Sequence, residues 1–235
     1  MAPLSAHSAA SAAWALAAKQ HGVIALFQLV ALGYTLEAVR WRVAKGRLHP
    51  VYRGVYAVGR PNLTRKGEWM AAVLACAPTA ALSHETGAAL WGLRQETPRG
   101  DIHISVPAGL SHHHRGIAVH RRSALTWPRS RRGDARIEQT DITLRDGIPV
   151  TAPILTLIDL AARLPERRLE AAINEADRLD LVTPMELREE LEARRGQRGV
   201  GAIKAVLDCG GFVLTESDLE RRFLPVAARA GLPTP

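Results

Sequence analysis

Arg40, Arg42, Lys45, Arg47 and Arg53 place five cations within fourteen residues, and Glu37 is the only acid between Leu36 and Gly59. Fixed positive side chains at that density suit one kind of chemistry, the neutralisation of a row of phosphates, which is binding rather than bond-breaking. Through Lys66 the chain holds nine Lys and Arg against Glu37 alone, a balance of +8, which is the net charge of the whole chain. A charge asymmetry of that kind points to a polyanionic partner, and nucleic acid is the commonest one. Arg makes up 27 of the 31 basic residues, so a surface Arg says little by itself and the weight falls on how the cations are arranged.

Other residue types invite other chemistries. His112, His113 and His114, with His103 and His120 on the neighbouring strands, suggest a metal. Three consecutive His side chains point in different directions, however, and only Asp101 stands by as a carboxylate, so no metal site is expected. Ser83, His84 and Glu85 have the types used in acid–base work, but they stand at the start of a helical pattern, where capping accounts for them. A metal-dependent nuclease needs an acid two residues before a Lys, and Lys19, Lys45, Lys66 and Lys204 are preceded at that distance by Ala17, Val43, Thr64 and Ala202. No Gly-rich phosphate loop of Walker or dinucleotide type is present. The expectation is therefore no catalytic residue, no cofactor and no metal. A second basic cluster, Arg121, Arg122, Arg129, Arg131, Arg132 and Arg136 around Trp127, reads as a solvated loop sooner than as an extension of the basic footprint.

The elements that must hold the cations follow from pattern and punctuation. Residues before about Ser11 read as disordered, Ser11 to Gln20 as a helix, and Phe27 to Leu32 as a second short helix closed by Gly33. Thr35 caps a third helix, Leu36 to Lys45, with Gly46 just past its end. Leu48 to Val58 reads as a hairpin turning at Arg53-Gly54, with Pro50 suited to an edge strand. Three helices and a hairpin in this order make a winged helix-turn-helix. Beyond it, Thr64 opens a helix over Arg65 to Ala77, and Ser83 and Gly92 bracket another. "DIHISVP" and "GIAVHRR" form a strand pair, "ARIEQT" and "ITLRDGIPVT" add strands, and Asp146-Gly147 is a tight turn. From Pro153 the pattern is helical, with capping boxes at Thr183 and Thr215.

At 100° per residue Leu36, Val39 and Val43 share one face of the third helix and are expected to be buried. Trp41 and Lys45 point away from them, and Arg40 and Arg42 flank the apolar stripe. A helix of this size fits the major groove of DNA, with the guanidinium groups at phosphate positions and Arg47 and Arg53 continuing the charge into the wing. A place for Trp41 against the central domain competes equally with an outward one.

Two cysteines, Cys76 and Cys209, are too few for a disulfide framework. The longest apolar runs, such as Ala71 to Ala77, fall far short of a membrane span, and the Ala/Ser-rich start lacks the basic residues of a signal peptide. The expectation is a soluble, cytoplasmic protein without membrane contact.

The stretches "GYTLEAVRWRVAKGRLHPVYRGVYAVG", "ALSHETGAALWGL" and "DGIPVTAPILTLIDLA", in this order and spacing, resemble the AbiEi family of antitoxins from type IV toxin–antitoxin systems, in its actinobacterial branch. The resemblance runs roughly from Ala12 to Gly201. It implies a winged helix that binds repeats in double-stranded DNA of the operon's own promoter. It also implies a C-terminal part that counteracts a nucleotidyltransferase-like toxin without a stable complex. It makes Thr35 to Lys45 the recognition helix and Leu48 to Val58 the wing. "TESDLERRFLPVAARAGLPTP" resembles the first helix of very-short-patch-repair-like endonucleases, with Glu220 at the place of that enzyme's helical carboxylate. The chain ends before the strands that would complete such a site.

Together these readings give an α+β chain in four parts. They are a winged helix-turn-helix over residues 11–66, a mixed domain of helices and strands over 67–150, a helical antitoxin-like region over 151–214, and the truncated nuclease-like start over 215–235. The expected DNA-binding residues are Thr35, Arg40, Trp41, Arg42, Lys45, Arg47 and Arg53. The leading function is a DNA-binding repressor with antitoxin character. The alternatives are a truncated endonuclease delivered by a winged helix, and a module whose Arg surfaces meet an acidic protein.

Overall fold

The computed structural model describes residues 6–95, 100–110, 113–123, 125–127 and 140–208. The chain is α+β and divides into two compact units, the first running to Thr156 and the second starting at Leu157.

The first unit opens with α1 (Ala6–Lys19), β1 (Val23–Ala25), α2 (Leu26–Ala31), α3 (Leu36–Ala44), β2 (Leu48–Tyr52) and β3 (Val55–Val58). The three strands form one antiparallel sheet in the order β1-β3-β2, so this is a winged helix-turn-helix with Pro50 on its edge strand. Helix α1 begins at Ala6, ahead of the start expected at Ser11, because the Ala-rich segment is a strong helix former throughout. Ala13, Ala17, Ile24, Leu29, Tyr34, Val39 and Leu48 make the core under the three helices. The amide of Gln28 reaches back to accept a hydrogen bond from the Ala25 N–H at 2.9 Å, which satisfies a donor at the start of α2.

The same unit continues with α4 (Arg65–Ala75), β4 (Ala81–Leu82), α5 (His84–Trp91), β5 (Ile102–Pro107), β6 (Ile117–Arg122), β7 (Ile142–Arg145) and β8 (Ile148–Thr151). These strands form a five-stranded sheet in the order β6-β5-β4-β8-β7. β5 runs parallel to β6, and β4 parallel to β8, while β7 and β8 are a hairpin. Asp146 and Gly147 turn that hairpin at φ 51° and 75°, the left-handed pair that a two-residue turn demands. Helix α4 is capped by Thr64, whose hydroxyl accepts from the Gly67 N–H at 3.2 Å, and it packs against both sheets. Two contacts hold the tip of the β7–β8 hairpin: Lys66 Nζ of α4 donates to Asp146 Oδ2 at 2.8 Å, and His21 Nε2, in the turn after α1, lies 2.7 Å from the Asp146 carbonyl. The Lys66 hydrogen bond holds the Asp146 carboxyl below the usual carboxylate range.

Helix α6 (Pro153–Ala161) leads into the second unit, which adds α7 (Glu166–Arg178), α8 (Pro184–Ala193) and α9 (Val200–Asp208). Leu169, Ala172, Ile173 and Ala176 fall on one stripe of α7 and are buried, and α9 packs against both α7 and α8. Thr183 and Glu186 form the expected capping box. Gly199 has φ 98°, and a Cβ there would collide with the Ile158 carbonyl, so only glycine lets α9 start so close to α6.

Three details differ from what the sequence implies. Leu36 is 54% exposed, because it is the first residue of α3 and extends past the end of the core that holds Val39. Ser83 stands at the cap position of α5, yet its hydroxyl meets His84 Nδ1 at 3.0 Å and caps no helix amide. Strands β1 and β4 are too short to show an alternating pattern. The strand expected at "ARIEQT", the cap at Thr215, the helix around Glu220, and Cys209, His112, Arg129, Arg131, Arg132 and Arg136 lie outside the described residues, apart from the last residue of "ARIEQT", Thr140.

Candidate nucleic-acid interface

Both ends of α3 are fixed by local chemistry. The Thr35 hydroxyl accepts from the Ala38 N–H at 3.1 Å, satisfying one of the helix's first free donors. At the other end Gly46 adopts φ 64°, its N–H meets the Val43 carbonyl at 3.0 Å, and the Arg47 N–H meets the Arg42 carbonyl at 2.9 Å. That paired closure needs a left-handed residue at Gly46 and turns the chain so that Arg47 emerges beside the helix. The Gly59 N–H then bonds the Arg47 carbonyl at 3.1 Å, joining the helix end to the base of the wing. The wing turns at Arg53-Gly54, where Gly54 has φ 76° and its carbonyl accepts from the Leu26 N–H at 2.7 Å.

Val39 anchors the inner side of α3, with Ala38 and Val43 packed beside it at the edge of the core. The cations divide between two sides. Arg40 and Arg53 border an open groove of about 440 Å³ between α3 and the wing, lined also by Val43, Ala44, Tyr52 and Tyr56. On the other side Trp41 is 48% exposed, so it stands outward rather than against the central sheet. The Arg47 guanidinium lies 5.2 Å from its ring centroid and that of Arg42 lies 5.9 Å away. Such cation–ring contacts contribute about 0.5–1 kcal/mol at exposed sites, enough to bias a long side chain toward one position.

Arg42 differs from the other cations. Its Nη1 donates to the Ala38 carbonyl at 3.0 Å, and its guanidinium sits 4.5 Å over the Tyr34 ring. It is half-buried along its own helix, whereas Arg40, Lys45, Arg47 and Arg53 are exposed. Helical periodicity cannot distinguish these two fates, because the Tyr34 ring that captures Arg42 belongs to the turn before the helix. Thr35→Ala should cost the winged helix about 1 kcal/mol through the lost cap, seen as a lowered melting temperature. An unchanged melt would mean that the cap does not support α3.

The expected strand pair brings His103 and His120 side by side, and His84 joins them in a way that spacing does not reveal. His103 Nδ1 lies 2.9 Å from His120 Nε2 across β5 and β6, and His84 stacks on His120 with ring centroids 3.7 Å apart. Glu85 Oε2 approaches His103 Nε2 at 3.4 Å. His114 turns away to meet the edge of Tyr52. Among the described residues no group of three or more His, Cys, Asp or Glu is placed to hold a metal ion. Of the second basic cluster, Arg121 Nε donates to the Leu110 carbonyl at 3.3 Å and Arg122 Nε to the Ser105 hydroxyl at 3.1 Å. Cys76 is buried, and burial pushes its thiol up to about 11, so it is held as an unreactive thiol. Among the described residues no helix is long and apolar enough to cross a membrane.

Comparison with known proteins places two family models on this chain. Residues 71–209 match the model described as the AbiEi antitoxin C-terminal domain. Residues 15–59, which hold most of the winged helix, match the model described as a transcriptional regulator, AbiEi antitoxin. No curated protein matches. Among solved structures, the crystal structure of the RV2827C protein from Mycobacterium tuberculosis is similar at 22% identity and a TM-score of 0.45. The alignment covers 86% of this chain and 77% of that one.

Proposed function

The chain belongs to the AbiEi antitoxin family of DNA-binding transcriptional regulators, and from that premise we propose that it represses its own operon as the antitoxin of a type IV toxin–antitoxin system. The observation that carries this reading is the set of exposed cations on α3 and the wing, Arg40, Lys45, Arg47 and Arg53, arranged on both sides of the helix of a winged fold. With α3 in the major groove of a promoter repeat, these side chains reach the flanking phosphates and the wing meets the backbone beside it. Thr35 fixes the start of the helix, Trp41 steadies Arg47, and Arg42 acts through its hold on Tyr34 and Ala38 more than through phosphate. The working layout is a DNA-binding part over residues 11–66, a mixed part over 67–150, a helical antitoxic part over 151–214 and a further segment over 215–235. The toxin it opposes is a nucleotidyltransferase-like enzyme, countered in the cytoplasm without a stable complex.

Footprinting on the DNA upstream of its own operon tests the reading, with a protected repeat as the expected result. Co-expression with an adjacent nucleotidyltransferase should restore growth while the two proteins fail to co-purify. An unprotected upstream region would refute autoregulation, and a stable complex would refute the indirect mode of antitoxicity.

The protein acts in this reading by binding, without catalysis. A supercoiled plasmid incubated with it and magnesium or manganese should stay uncut, and Glu220→Ala should change nothing, since no Lys in the chain follows an acid at the required spacing. Metal-dependent nicking abolished by Glu220→Ala would favour the endonuclease reading instead.

A further inference from the structure

The groove of about 440 Å³ between α3 and the wing is lined by three donor side chains that the described protein does not use. Arg40 on the helix and Arg53 at the wing turn are exposed, and neither guanidinium has a partner among the described residues. Tyr56 of β3 lines the same groove half-buried, with its ring packed against the core under α3, and its hydroxyl likewise bonds no described residue. Tyrosine hydroxyls in partly buried places ordinarily find a hydrogen-bond partner, and this one has to come from outside the described chain. The other tyrosine of the lining, Tyr52, is committed elsewhere. Its ring meets the edge of His114, and burial beside Glu68 of α4 raises its hydroxyl above the usual range. No carboxylate lines the groove, among the described residues, to repel an anion. Lys45 and Arg47 carry the positive charge on past the C-terminal end of α3, so the occupant is a long polyanion and not a small anion.

We propose that this groove takes a stretch of DNA backbone and that Tyr56 is one of its phosphate ligands: the hydroxyl donates to a phosphate oxygen within the groove while Arg40 and Arg53 neutralise the strand from the helix side and the wing side. This rests on the DNA-binding reading given above and adds a residue that charge counting passes over, because a neutral donor leaves no mark on net charge. Tyrosine is among the side chains that hold phosphates in protein–DNA complexes, and such contacts position the protein without reading sequence. A neutral donor differs from a cation in one measurable way. It strengthens binding without displacing condensed counterions, so it contributes to affinity and nothing to the salt slope.

The test titrates the whole chain on a duplex of its own upstream region and on a random duplex of equal length, at several salt concentrations. Tyr56→Phe removes the hydroxyl and keeps the ring. It should weaken binding to both duplexes about tenfold, the effect of one hydrogen bond to a charged group, with the salt slope and the melting temperature unchanged. Arg40→Ala, the contrast, should lower the slope by about one unit. Wild-type affinity of Tyr56→Phe on both duplexes overturns the role of Tyr56 and leaves the repressor standing. A loss confined to the upstream duplex also overturns it, by making the contact one to a base. So does a lowered slope or melting temperature, which would assign the hydroxyl to the protein's own structure. A wild-type protein that binds both duplexes equally overturns the repressor reading instead, and the Tyr56→Phe loss then stands or falls on the random duplex. Failure of the wild type to bind either duplex overturns both.

Discussion

Val39→Asp abolishes the folded winged helix, while Leu36→Asp leaves it standing. Both substitutions place a carboxylate on what helical periodicity alone would draw as one apolar face of α3, so the contrast comes entirely from the depth of each side chain. Val39 is 2% exposed and sits in the cluster with Ala13, Ala17, Ile24, Leu29 and Leu48. An isolated carboxylate there has no described basic partner in the cluster and must ionise at a large desolvation cost or stay protonated. Either way the loss of roughly 3 kcal/mol or more consumes much of the stability of a domain this small. Leu36, more than half exposed, keeps its aspartate in water, and the change in stability should stay within about 0.5 kcal/mol. Val43→Asp should fall between them, because Val43 only borders the core. Thermal melts of the three variants give the ranking. If Leu36→Asp melts earlier than Val39→Asp, α3 is rotated from the orientation described, and the cationic face moves with it.

That contrast also marks how far the sequence could be read. The ends of α3 were legible because a cap and a left-handed glycine are local devices: Thr35 and Gly46 announce themselves within a few residues of the groups they satisfy. The wing turn at Arg53-Gly54, the Asp146-Gly147 hairpin and the Thr183 box are legible for the same reason. Periodicity gave the direction in which Leu36 points but not where along the axis the core stops, which depends on the lengths of α1 and α2 packed below. β1 was illegible because Val23, Ile24 and Ala25 are all buried and too few to alternate. Its existence is decided by β3, about thirty residues later in the chain, to which it hydrogen-bonds. The strand pair made the approach of His103 to His120 legible, but the stacking of His84 on them depends on α5 starting next to β5 and β6, which no spacing rule within the sequence shows. The capture of Arg42 is a side-chain choice, and periodicity alone puts the residue, like Arg40, at a phosphate position.

The same division among the cations sets the salt dependence of DNA binding. Arg40, Lys45, Arg47, Arg53 and Arg60 are exposed on the winged-helix part. If each neutralises one phosphate and displaces its condensed counterions, log K falls against log salt with a slope of about −4.5. Between 50 and 200 mM salt the affinity should then drop by roughly 500-fold, an effect larger than any single contact provides. Arg53→Ala should reduce the steepness by about one unit and weaken specific and random duplexes alike, because the residue lies at the wing turn and touches backbone. Lys45→Ala should do the same from the helix end without lowering the melting temperature. Arg42→Ala separates the two kinds of cation: with its guanidinium committed to Tyr34 and the Ala38 carbonyl, its removal should lower the melting temperature and leave the slope nearly unchanged. Titrations of each variant at four or five salt concentrations measure all of this at once. A wild-type slope near zero would refute an electrostatic DNA surface altogether. A slope that is lowered by Arg42→Ala and untouched by Arg53→Ala would instead put the phosphates on the Tyr34 side of the helix, away from the wing.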